Sequence, residues 1–263
     1  MYGAVLGDII GSDYEWHNVK SEDFELFPKE ARFTDDSVLT VAIADAILNM
    51  GDNKPAKCYA SYVKTYYKRY PYAGFGNMFK EWAESSSLKI QRSYGNGAAM
   101  RVSAIAWAFD NERQILDHTK ASCYYTHHHR EAIKYAQAVA IAIFLARQGA
   151  DKQDIKKRLE KDFRIEFFKI EDIRPFYEFN SRSEYSVPPA IEAFFETDDY
   201  ESAIRRAISV GGDSDTIAAI AGAIAEAYYK EIPDHILTKG KLLLDSGLKR
   251  VLNQFEERYG GCR

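Results

Sequence analysis

The sequence predicts an all-α protein, and three observations carry that prediction. Apolar residues recur at helical spacing through most of the chain. No segment sustains the period-two alternation of a half-buried strand, and no repeat recurs at fixed spacing. Glycine and proline punctuate helices singly rather than clustering into linkers. Together these describe one helical domain over residues 1–263, organised around two very apolar central helices, 35–49 and 214–229.

The first of these lies within 34–50 (TDDSVLTVAIADAILNM). Val38, Val41, Ala42, Ala44, Asp45 and Leu48 surround its axis, so most of its circumference is expected to be buried. Thr34 suits the N-cap, and Asp35 and Asp36 occupy the first turn, where acids complement the helix dipole. Residues 55–70 form a Tyr- and Lys-rich amphipathic helix opened by Pro55. A further helix is predicted over 98–109, entered from the Gly95-Asn96-Gly97 turn. The Ala-rich segment 130–148 has small residues at close spacing, which suits tight helix–helix packing. Shorter helices are predicted at 151–162, 188–196 and 199–209. The second central helix covers 214–229, and a last one covers about 239–258. Only 163–168 (FRIEFF) reads as extended, and helix fits it nearly as well.

Charge and cysteine usage narrow the functional classes. The 263 residues carry 35 Lys+Arg against 39 Asp+Glu, a net charge of −4, without the basic excess of a phosphate-binding nucleic-acid domain. A hydrophobic content of 46% and an aromatic content of 14% exclude a disordered acidic chain. The first residues lack the basic start and apolar centre of a secretory signal. No apolar run approaches the roughly 20 residues that span a bilayer. Three cysteines, Cys58, Cys123 and Cys262, are odd in number and far apart, which argues against a disulfide scaffold and a thiolate metal cluster. Free thiols in a reducing cytoplasm are expected, two on helices and one near the chain end.

The acids are more informative in placement than in number. Each central helix is among the most apolar in the chain, yet each opens on carboxylates and a hydroxyl: Thr34-Asp35-Asp36 in one, Gly211-Gly212-Asp213-Ser214-Asp215-Thr216 in the other. N-capping explains either cluster taken alone. A buried carboxylate is costly unless paired or bound to metal, and four meeting in one cleft would repel one another. Hard divalent cations with oxygen ligands resolve that repulsion. No Cys or His cluster accompanies these acids, which disfavours zinc.

Three further segments stand out. Gly7-Asp8-Ile9-Ile10-Gly11-Ser12-Asp13-Tyr14-Glu15 is punctuated by glycine, which lets a backbone approach either a ligand or another helix closely. Ser93-Tyr94-Gly95-Asn96-Gly97-Ala98-Ala99-Met100-Arg101 either turns tightly or offers backbone N–H groups at a helix start to a phosphate. Thr126-His127-His128-His129-Arg130-Glu131 holds three of the six histidines. Adjacent side chains point in different directions, so at most one or two could face one ion. Helix-start roles or a substrate contact therefore outrank a His-metal site.

Taken together, five segments in order resemble the ADP-ribosylglycohydrolase family: GAVLGDIIGSDYE (3–15), FTDDSVLTVAIADA (33–46), SYGNGAAMRVSAIAWAF (93–109), THHHREAIKYAQAVAIAIFLAR (126–147) and SVGGDSDTIAAIAGAIAEAYY (209–229). The resemblance implies an all-α fold with two Mg²⁺ or Mn²⁺ ions in a central cleft. It implies metal ligation by Glu15, Thr34, Asp35, Asp36, Asp213, Asp215 and Thr216. Ser93, Tyr94, Gly95, Asn96, Gly97, Met100 and His127 would contact ADP-ribose. The pattern differs from many bacterial members at His127-His128-His129-Arg130-Glu131-Ala132, which lacks their Pro and Gly, and Ser37 replaces a Thr of several relatives.

The implied activity is hydrolysis of the glycosidic bond joining ADP-ribose to an acceptor, either a protein side chain or a small molecule. The metals would hold the ribose and activate water, with Glu15, Asp36 and Asp215 as the catalytic carboxylates. Two other readings are weighed against this one. A non-catalytic, crystallin-like member of the same fold should have lost metal carboxylates, and all five expected ones remain. An isoprenoid-synthase-like diphosphate site normally shows an Asp-Asp-x-x-Asp/Glu run, whereas Asp35-Asp36 is followed by Ser37, Val38 and Leu39. Acceptor choice would rest on loops 16–33 and 163–187, whose Phe24, Phe27, Phe176, Tyr177, Phe179 and Tyr185 either line a mouth or cover the core.

Overall fold

The computed structural model describes residues 1–260, and every regular element among them is helical. In chain order the helices are α1 (Tyr2–Gly11), α2 (Asp35–Leu48), α3 (Pro55–Arg69), α4 (Asn77–Glu84), α5 (Ser103–Ala108), α6 (Glu112–Cys123), α7 (Arg130–Arg147), α8 (Lys152–Phe163), α9 (Ile170–Ile173), α10 (Ser183–Phe195), α11 (Tyr200–Ser209), α12 (Ser214–Tyr229), α13 (Asp234–Leu243) and α14 (Ser246–Tyr259). Two isolated bridges, Arg92 with His127 and Gly95 with Arg182, are the β-type pairings among the described residues. No helix there is long and apolar enough to cross a membrane. Cys58 and Cys123 are buried free thiols on α3 and α6, while Cys262 lies outside the described residues.

The two central helices are as apolar all round as their sequences predict. Every residue of α12 from Ser214 to Ala227 is buried, and α2 is buried except at Asp35, Asp45 and Leu48. Helix α12 packs against α1, α7, α10 and α11, and α2 against α1, α3, α5 and α14. Two central helices without a polar face need neighbours on every side, and the surrounding helices supply them.

Helix α1 is not among the helices the sequence reading lists, but close helix packing is one of the two roles open to its glycines, and it is the one the structure shows. They are an interface. A Cβ at Gly3 would lie 2.3 Å from the Gly222 carbonyl oxygen, one at Gly7 2.2 Å from that of Ala218, and one at Gly11 2.6 Å from the Asp215 Cα. Spaced four apart, these glycines form a stripe along one face of α1. Helix-on-helix approach therefore explains them, and it carries the C-terminal end of α1 to the N-terminal end of α12. Gly7→Ala should cost about 1–3 kcal/mol of stability by overpacking, read as a lower denaturation midpoint. An unchanged midpoint would contradict this packing.

Other differences from prediction have identifiable causes. The segment 98–109 is not one helix. Asn96–Ala98 form a 3₁₀ turn and α5 begins only at Ser103. Between them Arg101 turns inward to Ser122 and Thr126, and Met100 O accepts from Thr40 Oγ1. Helix α10 starts at Ser183, not 188, and contains Pro188 and Pro189. Pro189 has no N–H for the carbonyl of Tyr185, which instead accepts from Tyr177 Oη at 2.9 Å. The predicted 239–258 helix is two, broken at Leu244 in extended geometry and restarted by Asp245, whose side chain accepts from Leu248 N. Helix α6 is capped by Asn111, which accepts from Arg113 N and Gln114 N. Residues 164–169 run without regular structure after Arg164 ends α8 in the left-handed region.

Candidate metal centre and cleft

Three helix ends converge beneath one cleft of about 490 Å³: the C-terminal end of α1 and the N-terminal ends of α2 and α12. Asp36 and Asp215 come from the first turns of α2 and α12, and Asp213 precedes α12 at a φ of −79°. The helix dipoles favour carboxylates at both ends, but the apolar interior around them does not. Gly211 and Gly212, at φ of +78° and +71°, turn the chain into α12, where a Cβ at Gly212 would lie 2.5 Å from the Tyr177 ring.

Two carboxylate triples result. Oxygens of Asp8, Asp36 and Asp215 lie within 4.8 Å of one another, and so do those of Glu15, Asp213 and Asp215. Asp215 is common to both. Asp8 is the member the sequence reading missed. It is fully buried in α1 and takes four donors from the start of α2: Thr34 N (2.9 Å), Thr34 Oγ1 (2.6 Å), Ser37 N (3.0 Å) and Ser37 Oγ. A lone Asp inside the apolar run GAVLGDIIG was the available signal, since that setting is the same one that marked Asp36 and Asp215.

The remaining contacts leave unused capacity. Asp36 Oδ2 accepts from Thr216 Oγ1 at 3.1 Å, but Asp36 Oδ1 is buried without a hydrogen-bond partner. Asp213 Oδ2 accepts from Asn96 Nδ2 at 2.7 Å, and Asp215 Oδ1 from Thr216 N at 2.8 Å. Burial, and then the charge of Asp215, pushes the Asp36 carboxyl well above the ordinary range. Burial and then Asp213 does the same to Asp215. Asp213 is pushed to about 6, chiefly by burial. Glu15 is pushed to about 7 by burial and Asp215, with Arg32 opposing. An all-oxygen donor set, mutual repulsion and an orphaned buried oxygen together fit hard divalent cations. Asp35 stands outside both triples but lines the same cleft, opposite Gly74. The Thr34 hydroxyl is engaged between Asp8 and Asp36 N.

The predicted substrate segment forms the wall above these acids. Ser93, Tyr94, Gly95, Asn96, Gly97, Met100 and His127 all line the cleft. Because Asn96–Ala98 form a 3₁₀ turn, the α-helix start expected to present N–H groups here is absent. The loop is held from behind instead. Asn96 Nδ2 donates to Ser186 Oγ as well as to Asp213, Asn96 N to Ser181 O, and Ser183 Oγ to Gly95 O. The histidine triplet separates as predicted. His127 is buried in the cleft wall, His128 meets the Tyr124 ring edge-on, and His129 caps α7 by accepting from Glu131 N. Of the aromatics in loops 16–33 and 163–187, Phe27 is buried and Phe179 lines the cleft.

Comparison with known proteins identifies the family and the fold. The ADP-ribosylglycohydrolase family profile matches residues 1–260. The chain is 26% identical to "ADP-ribosylhydrolase ARH3" of Xenopus tropicalis over 303 residues, covering 88% of this chain and 86% of the relative. Against the Homo sapiens protein of that name the identity is 26% with 86% and 83% coverage. A solved structure described as "ADP-ribosylglycohydrolase-related protein complex" superposes with a TM-score of 0.71 over 98% of this chain and 95% of that one, at 22% identity. With its all-helical fold, its acid-floored cleft and a profile match over nearly its whole length, the chain belongs to the ADP-ribosylglycohydrolase family.

Proposed function

We propose that the protein is a metal-dependent hydrolase that cleaves the glycosidic bond between ADP-ribose and an acceptor, either a protein side chain or a small molecule. The convergence of Asp8, Asp36, Asp213, Asp215 and Glu15 under the Ser93–Met100 wall carries this reading. Two Mg²⁺ or Mn²⁺ ions bound there would supply charge neutralisation and Lewis acidity at the ribose. Asp36, Asp213, Asp215 and Glu15 would hold them, with Thr34, Asp35 and Thr216 alongside and Asp8 orienting the start of α2.

The protein's own residues would do the rest. The Ser93–Gly97 loop, Met100 and His127 would lie against ADP-ribose and fix its anomeric carbon over the acids. The carboxylates below would stabilise the positive charge of an oxocarbenium-like transition state. Glu15, partly exposed at the cleft edge, is suited to exchange a proton with water or the leaving group. The buried free thiols of Cys58 and Cys123 are consistent with a reducing cytoplasm. Retention of the whole carboxylate set favours catalysis over a non-catalytic, crystallin-like role.

The test is a panel of substrates with ADP-ribose linked through arginine, serine and other acceptors, assayed with Mg²⁺ and with Mn²⁺. Release of free ADP-ribose from at least one linkage is expected. Thermal stabilisation by ADP-ribose plus cation should accompany it by mass action. No release from any linkage and no stabilisation would refute the proposal.

A further inference from the structure

Arg101 is the largest fully buried side chain, yet it forms no ion pair with a carboxylate among the described residues. Its Nη2 donates to Ser122 O at 3.1 Å and to Thr126 Oγ1 at 2.7 Å, while its Nε and Nη1 have no hydrogen-bond partner. A buried cation in this state is expensive, which marks it as a candidate for function rather than packing. Thr126 Oγ1 in turn lies 2.9 Å from His127 Nδ1. Arg101 and His127 both line the cleft, and Thr126 links them from behind.

The link has a direction. Thr126 is buried, and its oxygen already accepts from the guanidinium. Its hydroxyl proton needs an acceptor, and the imidazole Nδ1 is the one in reach. A ring that accepts at Nδ1 carries its proton on Nε2 when neutral. Burial, and then the nearby guanidinium, holds the imidazole well below its ordinary pKa, hence uncharged. The Nε2 atom faces the glycine loop, where a Cβ at Gly97 would lie 3.2 Å from it and one at Gly95 3.7 Å. The backbone secures this placement: Ser93 N donates to Thr126 O and His128 N to Gln91 O, so segments 91–95 and 125–128 run side by side.

We infer that Arg101 and Thr126 are positioning residues that fix His127 as a neutral Nε2–H donor, aimed at an anionic oxygen of a ligand lying along the Gly95–Gly97 loop. The ligand part of this inference rests on the proposed function, and its chemistry is that of a nucleoside diphosphate. Glycine at 97 then serves the histidine as much as the ligand, because a Cβ there would crowd the donor at 3.2 Å.

Two measurements decide it. Long-range ¹H–¹⁵N correlation spectra of the ¹⁵N-labelled full chain at neutral pH read the His127 tautomer directly, with the signal assigned by its loss in His127→Gln. The expected result is an unprotonated Nδ1 and a protonated Nε2. In Thr126→Val, which keeps the shape and removes the hydroxyl, the tautomers should mix. Affinity for ADP-ribose should fall about tenfold, roughly the effect of one lost hydrogen bond. KM for a cleaved substrate should rise more than kcat falls, and Thr126→Ser should restore both tautomer and affinity. An Nδ1–H or imidazolium signal in the wild type, or unaltered ADP-ribose affinity in Thr126→Val, would overturn the inference. Wild-type protein that neither binds ADP-ribose nor releases it from any linkage would instead refute the proposed function, and the spectrum alone would then decide whether Arg101 and Thr126 set the His127 tautomer.

Discussion

Asp36→Asn is expected to lower release of ADP-ribose by about 10³-fold or more, on the scale of several kcal/mol of lost transition-state stabilisation. The same change should make the cation-free protein more stable, not less. Asp36 is buried, its Oδ1 has no partner, and its charge is opposed by Asp215, Asp8, Asp35 and Asp213. An amide of the same shape removes that repulsion and can still accept from Thr216 Oγ1. Asp215→Asn should behave alike, since Asp215 belongs to both carboxylate triples. Circular dichroism should report unchanged helicity, and thermal unfolding in chelator should give a higher midpoint. Full turnover in either variant, or in the wild type after chelation, would sink the metal-assisted mechanism.

Stability of the cation-free protein should fall as pH rises from about 4 to about 7. Burial and mutual repulsion raise Asp213 to about 6 and Glu15 to about 7, and raise Asp36 and Asp215 as well. Through this window the folded protein holds protons that the unfolded chain has already released. Unfolding therefore becomes easier with rising pH. Asp213 alone would account for at most about 3 kcal/mol, from a shift of about two units. Divalent cations should reverse the trend, because they bind the deprotonated acids and must displace protons at low pH. Midpoints measured with chelator and with Mg²⁺ at pH 5 and pH 7.5 check this. The Mg²⁺ effect should be clearly larger at pH 7.5. An equal effect at both would mean that these carboxylates are not the cation ligands.

Much of the fold could be read from the sequence because it depends on local pattern. Helices α2, α7 and α12 are apolar over many turns, and no tertiary contact is needed to identify them. The candidate site was accessible for a related reason: acids at the head of such helices conflict with their surroundings, and that conflict is visible in one dimension. What escaped depends on partners far away in the chain. Helix α1 was hidden because only the backbone of α12 decides between the two roles open to its glycines, a ligand approach and a helix contact. Asp8 was hidden with it, since its four donors come from Thr34 and Ser37. The 98–109 helix is interrupted at Arg101, whose side chain reaches Ser122 and Thr126 more than 20 residues away. The prolines of α10 were misread as a start because the hydroxyl that replaces a missing N–H belongs to Tyr177.

The glycine contact between α1 and α12 also sets an order of events in the life of the chain. Gly7 and Ala218 touch across roughly 200 residues of sequence, a stretch that takes about 10–40 s to synthesise. Until α12 has emerged and closed against α1, Asp8 and Asp36 have no Asp215 beside them, and Glu15 has neither Asp213 nor Asp215. No nascent fragment lacking α12 can hold either carboxylate triple. Both carboxylate triples are therefore completed only when α12 closes against α1, so any cation site they form would report that this part of the topology has closed.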